Sequence, residues 1–516
     1  MNKLKAAIIS IISLVIVVLI VLLVLLVYYV KSSWIITIIG VAIGCIDIGF
    51  GVYIMNSKRQ TYTKACWLFC IVMFPLLGCL FFTVFGTFPM NRNDWKQQNL
   101  ANSKFNHFEK YDYTKEYFKK IGNDANIFAY SYKNELKPIY KNNFIRPIMD
   151  NSQTLNEIIT LIRRAKKFIH IETFILHDGF FLRTIMAELV KKAQEGIEIR
   201  LLYDWMGCFR KFKKTQIKEL RRYGAEVGIF NPPGINVFKG ATNYRLHRKA
   251  IIVDNKYAIY GGSNFGDEYL AMDRKTNYWK DQNFFIEGEI VNSLNIAFIG
   301  DWTNFTDYTV SKKQRNLLLN NLDKYLSIHK TASSCYMQFC TSAPNYQEKG
   351  IMNLIVLLVL KAKKSIKIVT PYFIPTEFSD SILNIAARSG IDIQVILPGK
   401  SDNKKFTVLM NRGRYTELLK MNYKIYEYDG FIHSKYLIID DQYVFITTAN
   451  FDYRSFWNNF ESGILIENSQ FVKQMLNIFE HDLKNSIRIT ETMNKKFISF
   501  INKCKLAIYN LYKPLL

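Results

Sequence analysis

Hydrophobic positions crowd the first 90 residues into three runs. Ala6 to Val30 is 25 positions without a charge. At 1.5 Å rise per residue, about 20 apolar residues cross a bilayer core of roughly 30 Å. The run exceeds the roughly 7–15 residues of a secretory signal core, and no small-x-small cleavage site follows it. Trp34 to Met55 is a second run, interrupted by Asp47, and Ala65 to Phe88 is a third, containing Pro75. The pattern predicts three transmembrane helices. A polar loop with Lys58, Arg59 and Lys64 separates the last two. Asp47 reads as a carboxylate turned toward neighbouring helices, and Pro75 as a kink within one helix. Basic residues divide too evenly between the two sides to fix the orientation.

From Asn91 onward the pattern alternates. Leu155 to Lys167, Leu182 to Glu195 and Gln216 to Tyr223 have helical periodicity. Phe168 to Leu176, Ile197 to Tyr203 and Glu226 to Phe230 read as strands between and after them. Strands alternating with such helices predict βαβ units and a largely parallel sheet. The order then recurs. Ala165-Lys-Lys-Phe-Ile-His-Ile-Glu-Thr173 is echoed by Ala362-Lys-Lys-Ser-Ile-Lys-Ile-Val-Thr370. Gly196-Ile-Glu-Ile-Arg200 is echoed by Gly390-Ile-Asp-Ile-Gln394, and His247-Arg-Lys-Ala-Ile-Ile-Val-Asp254 by His433-Ser-Lys-Tyr-Leu-Ile-Ile-Asp440. The offsets are 197, 194 and 186 positions, so three features repeat in order with little drift. A period this long is a duplication and not a solenoid array. The expected layout is a membrane anchor at 1–90, a first α/β lobe at 91–330 and a homologous second lobe at 331–516.

Composition narrows the function classes. With 49% hydrophobic residues, 38 Phe, 31 Tyr and 7 Trp, the chain is no disordered protein. Only eight cysteines in a chain this long exclude a disulfide scaffold, and Cys208, Cys335, Cys340 and Cys504, outside the apolar runs, show no metal-site spacing. A net charge of +25 points to a polyanionic partner, nucleic acid or anionic lipid. The first 90 residues carry +5 of it, which leaves +20 on the remainder. A domain so charged beside a bilayer is drawn to anionic headgroups. Three membrane spans would give a nuclease little, so lipid is preferred.

Two of the seven histidines, His247 and His433, stand in the frame His-x-Lys-x4-Asp, at equivalent points of the two lobes. In a strand, positions i and i+2 face the same way, so His247 projects with Lys249 and His433 with Lys435. Each motif then reads as a β-hairpin turning at Asp254 or Asp440, an anchoring position for the carboxylate. Two lysines make a cationic seat for a phosphate. One histidine can attack phosphorus while the other protonates the leaving oxygen, and the positive side chains stabilise the developing charge. This chemistry calls for no metal and no cofactor.

The motifs resemble those of bacterial cardiolipin synthases of the phospholipase D superfamily, whose signature is His-x-Lys-x4-Asp followed by Gly-Gly/Ser-x-Asn. Lobe one supplies Gly261-Gly262-Ser263-Asn264. Lobe two supplies Thr447-Thr448-Ala449-Asn450, where Thr447 departs from the glycine pattern. Thr370-Pro-Tyr-Phe-Ile-Pro375 and the apolar N-terminus also fit the family. The resemblance implies an α/β fold with N-terminal transmembrane helices followed by a duplicated phospholipase D-like α/β/α sandwich of two pseudo-symmetric lobes. It implies that two phosphatidylglycerols yield cardiolipin and glycerol through a phosphatidyl-histidine. His247 is then the nucleophile and His433 the acid and base, although the near-symmetry leaves that order open. Lys249, Lys435, Asn264 and Asn450 would hold the phosphate, and Asp281 and Glu461 would orient the histidines. Asp254 and Asp440 complete the catalytic signature while anchoring their hairpins. The partners expected are phosphatidylglycerol, cardiolipin and the cell membrane, crossed more than once, with no nucleic acid and an open oligomeric state. Rivals are a hydrolase using water, a transferase using another alcohol, a phospholipase-D-type nuclease, and a scaffold that would have lost a motif histidine.

Residues 497–512 mix lysines with aromatic and aliphatic residues. That mixture suits a helix on the membrane surface or an ordinary packing helix.

Overall fold

The protein is described from a computed structural model covering residues 33–57, 59, 61–86, 114–121, 126–135, 137–212, 214–232, 244–272, 279–306, 310–344, 349–401, 405–497 and 499–511. It divides into two compact units, Met1–Gly86 and Thr87–Leu516.

In the first unit, helix α1 (Ser33–Asn56) contains the one described stretch long and apolar enough to span a bilayer, Trp34–Asn56. The first predicted span, Ala6 to Val30, lies outside the described residues. The third run is not one kinked helix. It forms α2 (Thr61–Met73) and α3 (Leu77–Phe85), of 13 and 9 residues. At 1.5 Å per residue these reach only about 20 and 14 Å. Pro75 has no amide hydrogen and disfavours helix in the residue before it, so the ladder breaks there. Leu76 takes a left-handed φ of 58°. Asp47 serves the break: its Oδ1 accepts from the Leu76 amide at 3.3 Å and from the Cys79 thiol at 3.1 Å. The carboxylate therefore has a structural task inside this unit. Gly78 permits the fold-back, since a Cβ there would lie 2.5 Å from the Cys70 carbonyl oxygen.

The second unit holds two sheets of the same plan. The lobe-one strands are β1 (Asn143–Ile148), β2 (Phe168–Thr173), β3 (Glu198–Asp204), β4 (Glu226–Phe230), β5 (Ala250–Val253), β6 (Tyr257–Gly261) and β7 (Asn283–Gly288). Their spatial order is β1-β7-β6-β5-β2-β3-β4. The lobe-two strands are β8 (Tyr336–Ser342), β9 (Ser365–Val369), β10 (Asp392–Pro398), β11 (Lys424–Tyr428), β12 (Tyr436–Ile439), β13 (Tyr443–Thr447) and β14 (Asn459–Glu467). They run β8-β14-β13-β12-β9-β10-β11, with β15 (Ser486–Arg488) added beyond β11 and Ile139–Tyr140 beyond β8. Position for position, the second order copies the first.

The sheets are mixed, which corrects the expectation of largely parallel ones. Within each copied order, only β2-β3-β4 and β9-β10-β11 run parallel. The other neighbours in each copied order are antiparallel, because β5-β6 and β12-β13 are tight hairpins feeding β7 and β14. Each hairpin turns on two consecutive left-handed residues. These are Asp254 and Asn255 (φ 55° and 54°) and Asp440 and Asp441 (both 53°), as short hairpins require.

Strand alternation builds three cores. Ile169 and Ile171 of β2 face helices Asn151–Arg163 and Phe180–Gln194, while Phe168 faces the opposite side. That opposite side is a shared core containing helices Ile290–Phe305 and Ser469–Lys484, with Ile252 and Tyr260 from one sheet and Ile438 and Ile446 from the other. A third core lies on the far face of the lobe-two sheet, under helices Gly350–Lys361 and Glu377–Arg388. The result is two α/β/α layers sharing their central helices.

Candidate active site

The motif residues do not lie within the hairpin strands. His247 to Lys249 fall between the short strand Arg245–Leu246 and β5, and His433 to Lys435 between Phe431–Ile432 and β12. The short strands belong to the other lobe's hydrogen bonding. Arg245–Leu246 pairs with Asn459–Phe460, and Phe431–Ile432 pairs with Trp279–Lys280. The His247 amide then donates to the Phe460 carbonyl at 2.9 Å, and the His433 amide to the Lys280 carbonyl at 2.6 Å. Each three-residue segment thus crosses from one lobe's backbone to the other's. This corrects the reading of His and Lys as neighbours on one strand face.

The orienting carboxylates are exchanged between lobes. His247 Nδ1 lies 2.7 Å from Glu461 Oε1 and 2.9 Å from its Oε2. His433 Nδ1 lies 2.6 Å from Asp281 Oδ2. Glu461 is on β14 of lobe two, while Asp281 precedes β7 of lobe one. A carboxylate only accepts, so each Nδ1 carries the hydrogen and donates it. Nε2 is left with its lone pair, ready to attack or take a proton. Lys249 Nζ donates to the His247 carbonyl at 2.5 Å, and Lys435 Nζ donates to the His433 carbonyl.

All of these groups are buried, which sets their charge. Burial lowers His247 to about 4, and Lys249 and Lys435 push the same way against the pull of Glu461. Burial likewise lowers His433 to about 4, with Lys435 and Lys249 adding to it against Asp281. Lys249 falls to about 7 and Lys435 to about 8, burial being the main cause in both. Burial raises Glu461, but His247, Lys249 and the Thr448 hydroxyl outweigh it and hold the carboxyl at about 2. Lysines of each lobe act on the histidine of the other, so the four groups form one electrostatic unit. Without an anion the site holds two neutral imidazoles and two lysines that are reluctant to stay charged.

Asn264 and Asn450 are buried beside the motifs. Asn264 Oδ1 accepts from the Ile175 amide at 3.1 Å, and its Nδ2 faces the Tyr269 hydroxyl at 3.3 Å. With Lys249 and Glu172 it lines a small cavity. Asn450 Oδ1 is buried with no hydrogen-bond partner. Asp254 and Asp440 stand apart. Five residues of extended chain, about 16 Å, separate Asp254 from Lys249. Asp254 accepts three backbone amides, Lys166, Lys167 and Phe168, at 2.8 to 2.9 Å. Asp440 does the same for Lys363, Lys364 and Ser365 at 2.7 to 2.9 Å. They fix the hairpin turns to the start of β2 and β9, and neither joins the histidines.

The chain is similar to known proteins. The family described as "Cardiolipin synthase, PLD-like domain" matches residues 158–302 and 355–483, one block in each lobe. The chain belongs to the cardiolipin synthase family. Proteins named cardiolipin synthase from Halalkalibacterium halodurans and Clostridium perfringens are each 31% identical to it, over 90% and 89% of this chain and 92% and 95% of theirs. One from Staphylococcus aureus is 31% identical over 90% of this chain and 93% of its own. Among solved structures, a phosphatidylserine synthase from Haemophilus influenzae aligns with 76% of this chain and all of its own, at a TM-score of 0.57 and 15% identity. That likeness is one of fold.

Within this cardiolipin synthase family fold, the two half-sites differ in ways the motifs do not reveal. Glycine and threonine take equivalent places beside the carboxylates. A Cβ on Gly262 would lie 2.3 Å from Asp281 Oδ1. In lobe two the Thr448 hydroxyl donates to Glu461 Oε2 at 2.6 Å, and Asn459 Nδ2 donates to Oε1 at 3.1 Å. Aromatic cover differs too. The edge of Phe174 meets His247 at 5.2 Å between ring centres, whereas Trp279 and Phe431 stand 5.6 and 5.9 Å from His433. Glu172 has Val369 as its counterpart in the repeat. It is 3% exposed, its Oε2 has no hydrogen-bond partner, and burial with nearby Asp301 raises its carboxyl against Arg248 and Lys249. Three sequence differences carry this asymmetry: Thr447-Thr448 against Gly261-Gly262, Glu461 against Asp281, and Val369 against Glu172.

Proposed function

We propose that the protein condenses two phosphatidylglycerol molecules into cardiolipin and glycerol, at a membrane to which helix α1 anchors it. The observation that carries this reading is the pair of histidines, each held at Nδ1 by a carboxylate of the opposite lobe and each with Nε2 free. In the first step, His247 Nε2 attacks the phosphorus of one phosphatidylglycerol. A phosphatidyl-histidine bond forms and the bond to the headgroup glycerol oxygen breaks. His433 gives that oxygen its proton, and glycerol leaves. In the second step, His433 Nε2 takes the proton from the terminal hydroxyl of a second phosphatidylglycerol. That oxygen attacks phosphorus, the nitrogen–phosphorus bond breaks, and His247 is restored.

The electrostatics support the cycle. The phosphodiester brings one negative charge between Lys249 and Lys435, which restores their protonation. The same charge raises the proton affinity of His433, so the acid is formed only when substrate is seated. Asn264 and Asn450 complete the phosphate seat, and the Asn450 carbonyl oxygen is free to orient an acceptor hydroxyl. Burial of the histidines keeps bulk water away from the intermediate, which favours transfer over hydrolysis. Anchoring holds the second lipid at high local concentration.

Product analysis with defined lipids is the test. Purified protein in vesicles of phosphatidylglycerol alone should yield cardiolipin and free glycerol in equal amounts. Phosphatidic acid as the main product would make it a hydrolase. No product without an added alcohol would assign another acceptor.

A further inference from the structure

We propose that the outward face of the C-terminal helix Phe500–Leu511 lies in the headgroup layer of an anionic bilayer. The helix is attached to its lobe by one side only. Leu506 packs on Gly413 of helix Lys405–Lys420, where a Cβ would come within 2.8 Å of it, and Tyr509 lies tilted against Phe406 with ring centres 5.7 Å apart. Asn502 also turns to the protein, its Nδ2 donating to the Phe497 carbonyl at 2.8 Å.

The opposite side is apolar and bare. Phe500 is 80% exposed, Ile501 64% and Ile508 56%, and Cys504 is exposed between them. At 100° per residue, Phe500, Ile501, Cys504, Ala507 and Ile508 fall within an arc of about 120°. Lys503 and Lys505 stand one on each edge of that arc, both exposed. The preceding helix, Glu491–Phe497, adds exposed Lys495 and Lys496.

A face meant for water would not carry this stripe, and a face meant for a protein core would not be bordered by lysines. Apolar centre, cationic edges and an aromatic residue at one end together fit a helix lying in a lipid interface. There the lysine stems can reach outward to lipid phosphates while the apolar residues enter the acyl boundary. Charge chooses the lipid: two to four lysines beside the surface favour anionic over zwitterionic headgroups. The inference rests on the membrane part of the function proposed above and not on its reaction.

The test uses the unmodified full chain and its native Cys504. The protein is placed in nanodiscs of phosphatidylcholine alone or of phosphatidylcholine with phosphatidylglycerol. Modification of Cys504 by a water-soluble maleimide is then followed by peptide mass spectrometry. Modification should slow about tenfold in the phosphatidylglycerol discs. The variant Lys503→Glu/Lys505→Glu should lose that protection while retaining turnover in detergent–lipid micelles. Fast modification in both discs overturns the proposal. Slow modification in both discs also overturns it, because it assigns the stripe to a segment of the protein or to a second copy. Loss of cardiolipin formation with Cys504 still protected would instead fault the proposed reaction and leave this surface standing.

Discussion

Glu461→Gln isolates the exchanged carboxylate, because it keeps the shape of a buried side chain while removing its charge. The wild-type carboxylate contacts His247 Nδ1 through both oxygens, at 2.7 and 2.9 Å. Two losses follow. First, in the proposed cycle the imidazolium formed when His247 takes the phosphatidyl group loses its counter-charge. At about 4 Å between charge centres and an effective dielectric near 20, that is about 4 kcal/mol, or roughly a thousandfold in rate. Second, the glutamine amide can donate to Nδ1, which moves the ring hydrogen to Nε2 and blocks the attacking lone pair. In a serine protease triad, the comparable carboxylate-to-amide change costs about 10⁴. A loss of about 10³ to 10⁴ in turnover is therefore expected here, with the protein folded.

The pH dependence separates this account from a general loss of basicity. Glu461 raises the His247 pKa, so its removal moves that pKa further below about 4. His247 is then neutral at every pH above the acid range in both proteins, and no change of pH rescues the variant. The assay is single-turnover release of labelled glycerol from phosphatidylglycerol vesicles between pH 5.5 and 9, with far-UV circular dichroism as the folding control. Asp281→Asn should behave alike through His433. A Glu461→Gln protein within tenfold of wild type, or one restored by acid, would refute the reasoning.

The remaining expectations are brief. His247→Ala and His433→Ala should each abolish cardiolipin formation, and only the variant retaining the nucleophile can accumulate an acid-labile lipid–protein adduct, detectable with labelled phosphatidylglycerol. Lys249 and Lys435 lie at about 7 and about 8 in the free site. Phosphate affinity should therefore fall as they lose protons, seen as a KM rising from pH 7 to 9 with a smaller change in kcat. Thr448→Val deletes a 2.6 Å hydrogen bond to Glu461; turnover should drop about tenfold. The loss should deepen on acidification, because the Glu461 pKa rises once that bond is gone. Asp254→Ala strands three backbone amides far from the histidines. It should cost about 2–4 kcal/mol of stability in a thermal-shift assay and leave the kcat of the folded fraction unchanged.

The duplicated plan and the chemical groups could be read in the sequence because they are periodic and local. Three paired segments kept their order, and two His-x-Lys pairs sat at matching points. What escaped prediction depends on contacts distant in the chain. The strand assignment of His247 and Lys249 failed because the Phe460 carbonyl, 213 positions later, claims the His247 amide. Periodicity within a window cannot report that. The parallel-sheet expectation failed because helix–strand alternation holds only for the β2-β3-β4 and β9-β10-β11 portions. The third membrane run failed at Pro75, whose rupture of the ladder is stabilised by Asp47 from another helix. Sequence order also hides the carboxylate exchange. Asp281 is 34 positions from His247 and 152 from His433, yet the distant histidine is its partner.

The exchange has a consequence for how such a site can be built and lost. In a single lobe, the histidine would have its lysine but no carboxylate at Nδ1, and its backbone amide would lack the carbonyl that fixes its position. A lone lobe is therefore deficient in orientation and in charge, although it holds a complete His-x-Lys-x4-Asp motif. Two lobes must dock before either histidine is competent, and docking completes both together. Identical halves would meet this need with identical carboxylates. Here one half uses a glutamate braced by Thr448 and Asn459, and the other an aspartate admitted by Gly262. The braced carboxylate has more hydrogen bonds keeping it ionised, which suits the histidine that, in the proposed cycle, carries a formal positive charge while covalently bound to phosphorus. That difference gives a physical reason for His247 to be the nucleophile, where the motifs themselves are symmetric.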